Sequence, residues 1–198
     1  MIASPQKSYL TPEEYLQQEN NSDIKHEYFD GEIFAMAGAT DTHVTIALNM
    51  AILLRNHLRG SGCRVYISDM KVRIEKKNRF FYPDVMVTCE TEDSKFSTYK
   101  KFPRLIIEVL SDSTEAFDRG DKFADYQFIP SLEEYVLINT KKARIECFRR
   151  ANDGMWLLQF YELDKTNFAL TSIGFEDKIE EVYQEVEFPS ETEAADSK

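Results

Sequence analysis

The segment 105–110 places a single carboxylate inside an otherwise apolar run, Leu-Ile-Ile-Glu-Val-Leu. Apolar residues at all the other positions predict a strand covered on both faces, which is typical of the centre of a sheet in an α/β domain. An ionised carboxylate in such a strand costs free energy unless another group pairs with it. Glu108 is therefore expected to bind a metal ion, to pair with a buried Arg or Lys, or to reach solvent at the end of the strand.

A second carboxylate, Asp84, follows Pro83 within the apolar segment 80–89, which we interpret as one interrupted strand. Pro83 cannot donate to a neighbouring strand, so it marks an edge or a bulge, and such irregularities often direct a side chain toward a site. An ordinary turn is the alternative, although the apolar residues resume directly after Asp84. If the two strands are neighbours, Asp84 and Glu108 could hold one Mg²⁺, an arrangement that serves phosphodiester hydrolysis.

The rest of the chain alternates predicted helices and strands. The helices are expected at 12–19, after a capping box at Thr11, at 41–58 after Thr40 or Asp41, at 115–128 and at 177–183. A hairpin at 26–34 turns at Asp30-Gly31, and strands are expected at 63–67, 71–75, 134–139, 143–149 and 155–162, with a polar, mobile loop at 91–102. This order predicts the α/β class, with a central β-sheet on which the α-helices pack. We expect one domain over residues 1–188 and a disordered acidic tail over 189–198.

Cysteine usage and hydropathy limit the environment of the protein. The chain has three cysteines, an odd number, and none of them forms a CxxC pair: Cys63, Cys89 and Cys147. We therefore expect buried free thiols, and neither a disulfide framework nor structural zinc. No apolar run approaches ~18 residues, so no membrane span is expected. The first nine residues also lack the pattern of a signal peptide, which favours a cytoplasmic location.

The charge distribution is uneven. The formal net charge of the chain is -11. Nine acidic residues and two lysines after residue 174 contribute -7 of this charge, so residues 1–174 are only mildly acidic. This balance disfavours avid non-specific binding to DNA but allows a local basic groove. Three basic clusters could line such a groove or could simply be solvated; they lie at 64–79, 95–101 and 141–150.

The carboxylate motifs resemble those of a known family. The motifs are His26-Glu27-Tyr28-Phe29-Asp30-Gly31-Glu32, Tyr82-Pro83-Asp84-Val85, and Ile107-Glu108-Val109-Leu110-Ser111-Asp112-Ser113-Thr114 with Asp118, Lys122 and Tyr126 behind it. Together they resemble the Uma-two family of restriction endonucleases, within the PD-(D/E)XK nuclease superfamily, over residues 9–188. The resemblance implies a restriction-endonuclease-like core, a central mixed β-sheet flanked by α-helices, in which Asp84 and Glu108 bind the metal. It also implies that the Val109 carbonyl is a third ligand and that Glu27 is a further acidic group of the site.

One position departs from the superfamily pattern. A lysine is expected two residues after the second acid, on the same strand face, but Leu110 occupies that position. Either the site is inactive or another lysine has taken the role, and Lys122 is the natural candidate because it shares a helix face with Asp118 and Tyr126. Lys122 could stabilise phosphate charge or orient the attacking water, or it could be a surface lysine. His43, near the start of the long helix, could be catalytic or could cap or pack the helix.

These features together predict an endonuclease that depends on Mg²⁺ or Mn²⁺ and hydrolyses DNA, with Glu27, Asp84, Glu108 and Lys122 as catalytic residues. RNA or a small phosphodiester is an alternative substrate. A homodimer would suit cleavage of two strands. The rival hypothesis is a catalytically inactive nuclease-like scaffold that acts as a protein or nucleic-acid interaction module, which Leu110 and the acidic net charge favour.

Overall fold

A computed structural model describes residues 9–163 and 167–188 of the chain. Within these residues, five α-helices pack around two larger sheets and one small one. The helices are α1 (Pro12–Glu19), α2 (Asp41–His57), α3 (Glu115–Arg119), α4 (Asp121–Tyr126) and α5 (Ile179–Val182). The predicted acidic tail lies outside the described residues.

The strands alternate with these helices along the chain. They are β1 (His26–Phe29), β2 (Glu32–Ala35), β3 (Arg64–Ile67), β4 (Lys71–Ile74), β5 (Arg79–Phe81), β6 (Val85–Thr88), β7 (Tyr99–Lys100), β8 (Pro103–Val109), β9 (Glu134–Ile138), β10 (Arg144–Arg150), β11 (Trp156–Glu162), β12 (Asn167–Leu170) and β13 (Phe175–Lys178). The first turns form as predicted: Thr11 and Glu14 make a reciprocal capping box, and Asp30 and Gly31 both have positive φ.

The central sheet has six strands in the order β11-β10-β9-β8-β6-β3. Strand β8 pairs in parallel with β9 and antiparallel with β6, so the sheet is mixed. The α/β class and the central mixed sheet flanked by helices are therefore confirmed. The strand that carries Glu108 lies inside the sheet, as its apolar composition predicts.

The two faces of β8 face different halves of the core. On one face, Leu105 and Ile107 pack beneath α2 in a cluster that includes Ile46, Met50 and Leu54. On the other face, Ile106 and Leu110 join an aromatic cluster with α4. Because side chains alternate across a strand, Glu108 shares the face of Ile106 and Leu110 and points toward α4.

A second sheet of five strands has the order β2-β1-β5-β4-β7. Pro83 separates β5, in this sheet, from β6, in the central sheet. The interruption predicted at Pro83 is therefore present, but the two halves of segment 80–89 belong to different sheets and do not form one interrupted strand. The missing N–H of proline interrupts the ladder, and proline also restricts the residue before it. Asp84 consequently lies at the junction of the two sheets.

The predicted helix over 115–128 is also divided, because Gly120 ends α3 and precedes α4. Its φ of -107° and ψ of -101° lie outside the helical region. A Cβ at this position would lie 3.1 Å from the Ala116 carbonyl oxygen, so a larger residue would crowd the turn. The break sets the direction of α4 independently of α3.

Segment 91–102 is folded rather than an open polar loop, which corrects the prediction of a mobile loop. A 3₁₀ turn over Thr91–Lys95 and the short strand β7 occupy most of it. The buried Asp93 carboxylate accepts hydrogen bonds from the backbone N–H groups of Lys101, at 2.7 Å, and Phe102, at 3.2 Å. These bonds tie the segment to the start of β8.

The prediction of three free thiols is wrong for two of them. Cys63 and Cys89 form a disulfide, whereas Cys147 is free and buried as expected. Antiparallel pairing of β3 with β6 brings Arg64 opposite Thr88, so the residues just beyond these ends face each other. The sequence does not reveal this register, since 26 positions separate the two cysteines.

Among the described residues, no helix combines the length and the apolar composition needed to cross a bilayer.

Candidate functional site

Asp84 and Glu108 are held together by reciprocal hydrogen bonds between β8 and the start of β6. The backbone N–H of Val109 donates to Asp84 Oδ2 at 2.8 Å, and the backbone N–H of Asp84 donates to Glu108 Oε2 at 3.3 Å. Asp84 thus accepts a hydrogen bond from the strand that carries Glu108, and Glu108 accepts one from the backbone of Asp84. The structure brings the two predicted acids together at one point on the sheet.

The Glu108 side chain is almost fully buried, and its second oxygen has two partners. Tyr126 donates its hydroxyl to Glu108 Oε1 at 2.9 Å, and Lys122 Nζ lies 3.0 Å from the same oxygen. Both partners come from α4, which packs on that face of β8. Of the alternatives that the sequence left open for Glu108, pairing with a buried lysine is present, and exposure to solvent at the strand end is excluded.

Lys122 lies among three carboxylates. Its Nζ is 3.0 Å from Glu108, 3.4 Å from Glu27 and 3.4 Å from Asp118, and its side chain is only 8% exposed. The ammonium also lies 5.7 Å from the centre of the Phe81 ring. The interpretation of Lys122 as a surface lysine is wrong. The ion pair with Asp118 at i,i+4 is present, but Asp118 lies on α3 and only Tyr126 shares α4 with Lys122.

Glu27 approaches the cluster from the second sheet. It lies on β1, and besides Lys122 it accepts a long hydrogen bond of 3.5 Å from the backbone N–H of Tyr82. Strand β1 pairs with β5, whose chain continues through Pro83 to Asp84. Glu27 thus contacts both the lysine and the backbone that precedes Asp84, and all four predicted catalytic residues meet in one place.

His43 also belongs to this cluster. Thr40 caps α2 through the His43 N–H, and the helix then directs the imidazole to Asp84, with Nε2 at 3.1 Å from Oδ2. Burial alone would lower the pKa of His43, but the Asp84 carboxylate and the Val109 backbone outweigh it and raise that pKa.

Negative charge exceeds positive charge in the buried part of the cluster. Glu27, Glu108 and Asp118 surround one lysine, and Asp84 lies beside Glu108. Burial raises the pKa of Glu108 to about 8, and the Asp84 and Asp118 carboxylates add to the effect while Lys122 opposes it. Burial would lower the pKa of Lys122, but the surrounding carboxylates, Glu108 first, raise it well above its ordinary value. The lysine is therefore a stable cation, and the site favours additional positive charge.

The oxygen atoms of the cluster suit a hard divalent cation. Asp84 Oδ1 accepts no hydrogen bond from the described residues, and Glu108 Oε2 accepts only a long one. Within those residues, no group of three His, Cys, Asp or Glu side chains is arranged to enclose a metal ion. A site with two carboxylates and the Val109 carbonyl is compatible with Mg²⁺, which keeps several waters and needs few protein ligands.

Comparison with known proteins identifies the family. A family model described as "Uma2: Putative restriction endonuclease" matches residues 12–188. The chain belongs to the Uma2 family. It is 40% identical over 179 residues to an uncharacterized protein of Synechocystis sp., covering 90% of this chain and 94% of that protein. A second uncharacterized protein from the same organism is 39% identical over 153 residues, covering 75% and 85% of the two chains.

A solved structure shares the Uma2 fold seen in this chain. It is the crystal structure of a putative nuclease belonging to DUF820 from Anabaena variabilis, with a TM-score of 0.71 and 13% sequence identity. The match covers 88% of this chain and 97% of that chain. The fold is therefore shared where few residues are identical.

The departure from the superfamily pattern has a structural counterpart in this Uma2 chain. Leu110 is 2% exposed and packs in the aromatic cluster beneath α4, on the same face as Glu108. The position two residues after the second acid is thus part of the core. The only lysine that contacts Glu108 among the described residues, Lys122, comes from α4 instead.

Several residues of the predicted basic clusters are committed to internal contacts. Lys71 is buried and donates to the Tyr82 hydroxyl at 3.2 Å, and Lys100 is buried and donates to the Asp93 carbonyl at 2.9 Å. Arg149 pairs with the buried Glu134 at 2.7 Å. These three residues hold the fold together, and the hypothesis that they face a bound nucleic acid is not supported by their positions.

Proposed function

We propose that this chain is a divalent-metal-dependent endonuclease that hydrolyses phosphodiester bonds in DNA. The observation that carries the proposal is the convergence of Asp84, Glu108, Glu27 and Lys122 at the junction of the two sheets. Membership of the Uma2 family and the nuclease-like fold support the same reaction class. A local excess of buried carboxylates around one fixed cation is hard to explain by stability alone, because unpaired buried charge costs free energy.

Asp84 and Glu108 would hold Mg²⁺ or Mn²⁺, with the Val109 carbonyl as a third oxygen ligand. When bound, such an ion supplies charge stabilisation at the phosphate and lowers the pKa of water. Reciprocal hydrogen bonds keep Asp84 and Glu108 in register, so little reorganisation is needed before the phosphate binds. Preorganised charges of this kind account for much of the rate enhancement in many enzymes.

Lys122 would supply the positive charge that the superfamily usually places two residues after the second acid. Its ammonium already contacts Glu108, and Glu27 and Asp118 keep it protonated and oriented. From this position it can hold a water molecule or stabilise negative charge on a phosphate oxygen. Glu27 would assist, either as a further ligand through water or by fixing Lys122.

His43 extends the list of candidate residues. Its contact with Asp84 holds that carboxylate beside Glu108, so His43 would act as a positioning residue for the metal ligand. DNA is the expected substrate, and RNA or a small phosphodiester is the competing one.

The test is cleavage of supercoiled plasmid, linear duplex DNA and a labelled RNA in millimolar Mg²⁺ or Mn²⁺. Glu108→Gln and Asp84→Asn should each abolish cleavage while leaving the far-ultraviolet circular dichroism unchanged. Glu162→Gln, an exposed acid at the end of β11, is the matched control and should cleave as well as wild type. Equal activity of wild type and Glu108→Gln in the same metal and salt would contradict the assignment.

A catalytically inactive scaffold is the second candidate, and one observation favours it. Lys122 is already neutralised by three carboxylates, and Leu110 leaves no lysine at the usual position. Under this hypothesis the Lys122 ion-pair cluster is structural, and the protein binds a partner through other surfaces. Failure to cleave any of the three substrates, together with no saturable binding of Mg²⁺ or Mn²⁺ in calorimetry, would favour it.

A further inference from the structure

Helix α2 has an apolar stripe that faces solvent. Val44, Leu48 and Ile52 are 53%, 55% and 49% exposed. Their spacing of four residues places them in one row, opposite the face of Ile46 and Met50 that packs on the sheet. The helix therefore has two apolar faces, and only one of them is covered by the described residues.

Charges of opposite sign lie at the two ends of this stripe. Asp41 precedes it by three residues and Arg55 follows it by three, so both lie on the same face of α2. Both are exposed, and neither forms an ion pair within residues 9–163 and 167–188. The order along the face is acid, three apolar residues, base.

This order is self-complementary under a two-fold rotation. If two α2 helices pack antiparallel with Leu48 at the axis, Val44 faces Ile52 of the partner subunit. Asp41 then faces Arg55 of the partner subunit, since each lies seven residues from Leu48. A parallel arrangement would place like charges together. An isologous dimer needs this kind of self-matching surface.

We propose that this face of α2 binds a second copy of the chain, as an antiparallel helix pair centred on Leu48. The apolar area continues beyond the stripe, because a cavity of about 590 Å³ lies between α2 and β3 and is lined by Ile52, Ile67 and Met70. Ile67 is itself 50% exposed on β3, the edge strand of the central sheet. The stripe and the cavity together offer the second copy a larger apolar surface than the stripe alone.

The dimer would place both candidate sites in one assembly. His43 precedes Leu48 by five residues, so it lies roughly 7.5 Å along the helix axis from the two-fold point. The inference depends only on the surface of α2 and stands whether or not the protein cleaves DNA.

The test is analytical ultracentrifugation of the full chain over a range of concentrations. Wild type should dimerise, and Leu48→Asp should weaken the dimer about 30-fold or more, because two carboxylates would meet at its centre. Leu157→Asp, at a position 59% exposed on β11, is the matched control and should leave the dimer intact. A monomeric wild type at all concentrations, or a Leu48→Asp protein that dimerises like wild type, would overturn the proposal.

Charge exchange tests the antiparallel geometry without touching the apolar stripe. Asp41→Arg alone and Arg55→Asp alone should each weaken the dimer, because each puts like charges face to face. The double variant Asp41→Arg/Arg55→Asp should restore it, since the pairs are then re-formed in reverse. Single variants that have no effect, or a double variant weaker than both singles, would show that a different surface or partner is involved and would refute the helix pair.

Discussion

Lys122 Nζ lies 3.0 Å from Glu108 Oε1, and the two side chains are 8% and 3% exposed. Neither group is accessible enough to be solvated fully if the other is removed. The pair therefore links two properties that are usually separate, because the same contact stabilises α4 on the sheet and sets the charge of the candidate site. The first two predictions follow from it.

Replacing Lys122 by Met should lower the free energy of unfolding at pH 8 by about 3 kcal/mol, because the remaining buried carboxylates lose their cation. Millimolar Mg²⁺ should recover part of the loss, and should stabilise this variant more than it stabilises wild type. Urea denaturation with and without Mg²⁺ measures both effects. Lys142→Met, at an exposed position, is the control, and an unchanged midpoint for Lys122→Met would disprove the structural role.

Tyr126→Phe removes the hydroxyl that donates to Glu108 Oε1 at 2.9 Å. The expected cost is about 1–2 kcal/mol of unfolding free energy, because a buried acceptor loses one of its partners. Tyr99→Phe is a matched control, since the Tyr99 hydroxyl has no hydrogen bond within the described part of the chain. Equal losses in the two variants would mean that the Glu108 contact contributes nothing.

Divalent-metal affinity should rise with pH up to about 8 and then level off. In the folded protein Glu108 has its pKa raised by burial to about 8, so a proton competes with the metal below that pH. One competing proton reduces affinity about tenfold for each pH unit below the pKa. The same shift means that the stability contribution of protonated Glu108, present at low pH, is lost as pH rises through 8.

Calorimetric titration with Mg²⁺ and Mn²⁺ in buffers of different ionisation enthalpy should detect the released proton. Binding by Glu108→Gln should be lost, or should no longer show this pH dependence. Constant affinity between pH 6 and pH 9 in wild type would refute the prediction.

Thiol titration should distinguish the three cysteines. Native protein should react at none of them, because Cys63 and Cys89 are joined and the pKa of the buried Cys147 is raised well above its ordinary value, chiefly by burial. Unfolding without reductant should expose one thiol, and unfolding with reductant should expose three. Reduction of the Cys63–Cys89 disulfide should also lower the free energy of unfolding by about 3 kcal/mol, as expected for a closed loop of this length. Three reactive thiols without reductant would show that the disulfide does not form.

The sequence was informative where a local period decides the structure. The strand around Glu108 follows from side-chain alternation, and the contact of Lys122 with Asp118 follows from helical i,i+4 spacing. What the sequence could not show depends on register between distant segments. Cys63 meets Cys89, and His43 meets Asp84, only because β3 and α2 pack beside β6.

Two breaks in the predicted elements have a similar origin. Pro83 was identified in the sequence as an interruption, whereas Gly120 was not. At Pro83 the chain passes from the five-stranded sheet into the central sheet, and Gly120 divides α3 from α4. Whether proline makes a bulge or a change of sheet depends on which strands are available to pair, and that is a property of the whole fold.

The change of sheet at Pro83 makes the candidate site depend on both sheets at once. Glu27 comes from β1 in the five-stranded sheet, whereas Asp84 and Glu108 lie at the start of β6 and on β8 of the six-stranded sheet. The outer strands support this arrangement from behind, because Phe148 of β10 and Trp156 of β11 pack against Phe123 of α4, with ring centroids 4.6 Å and 5.2 Å apart. A substitution in either sheet can therefore separate the acids without touching any of them.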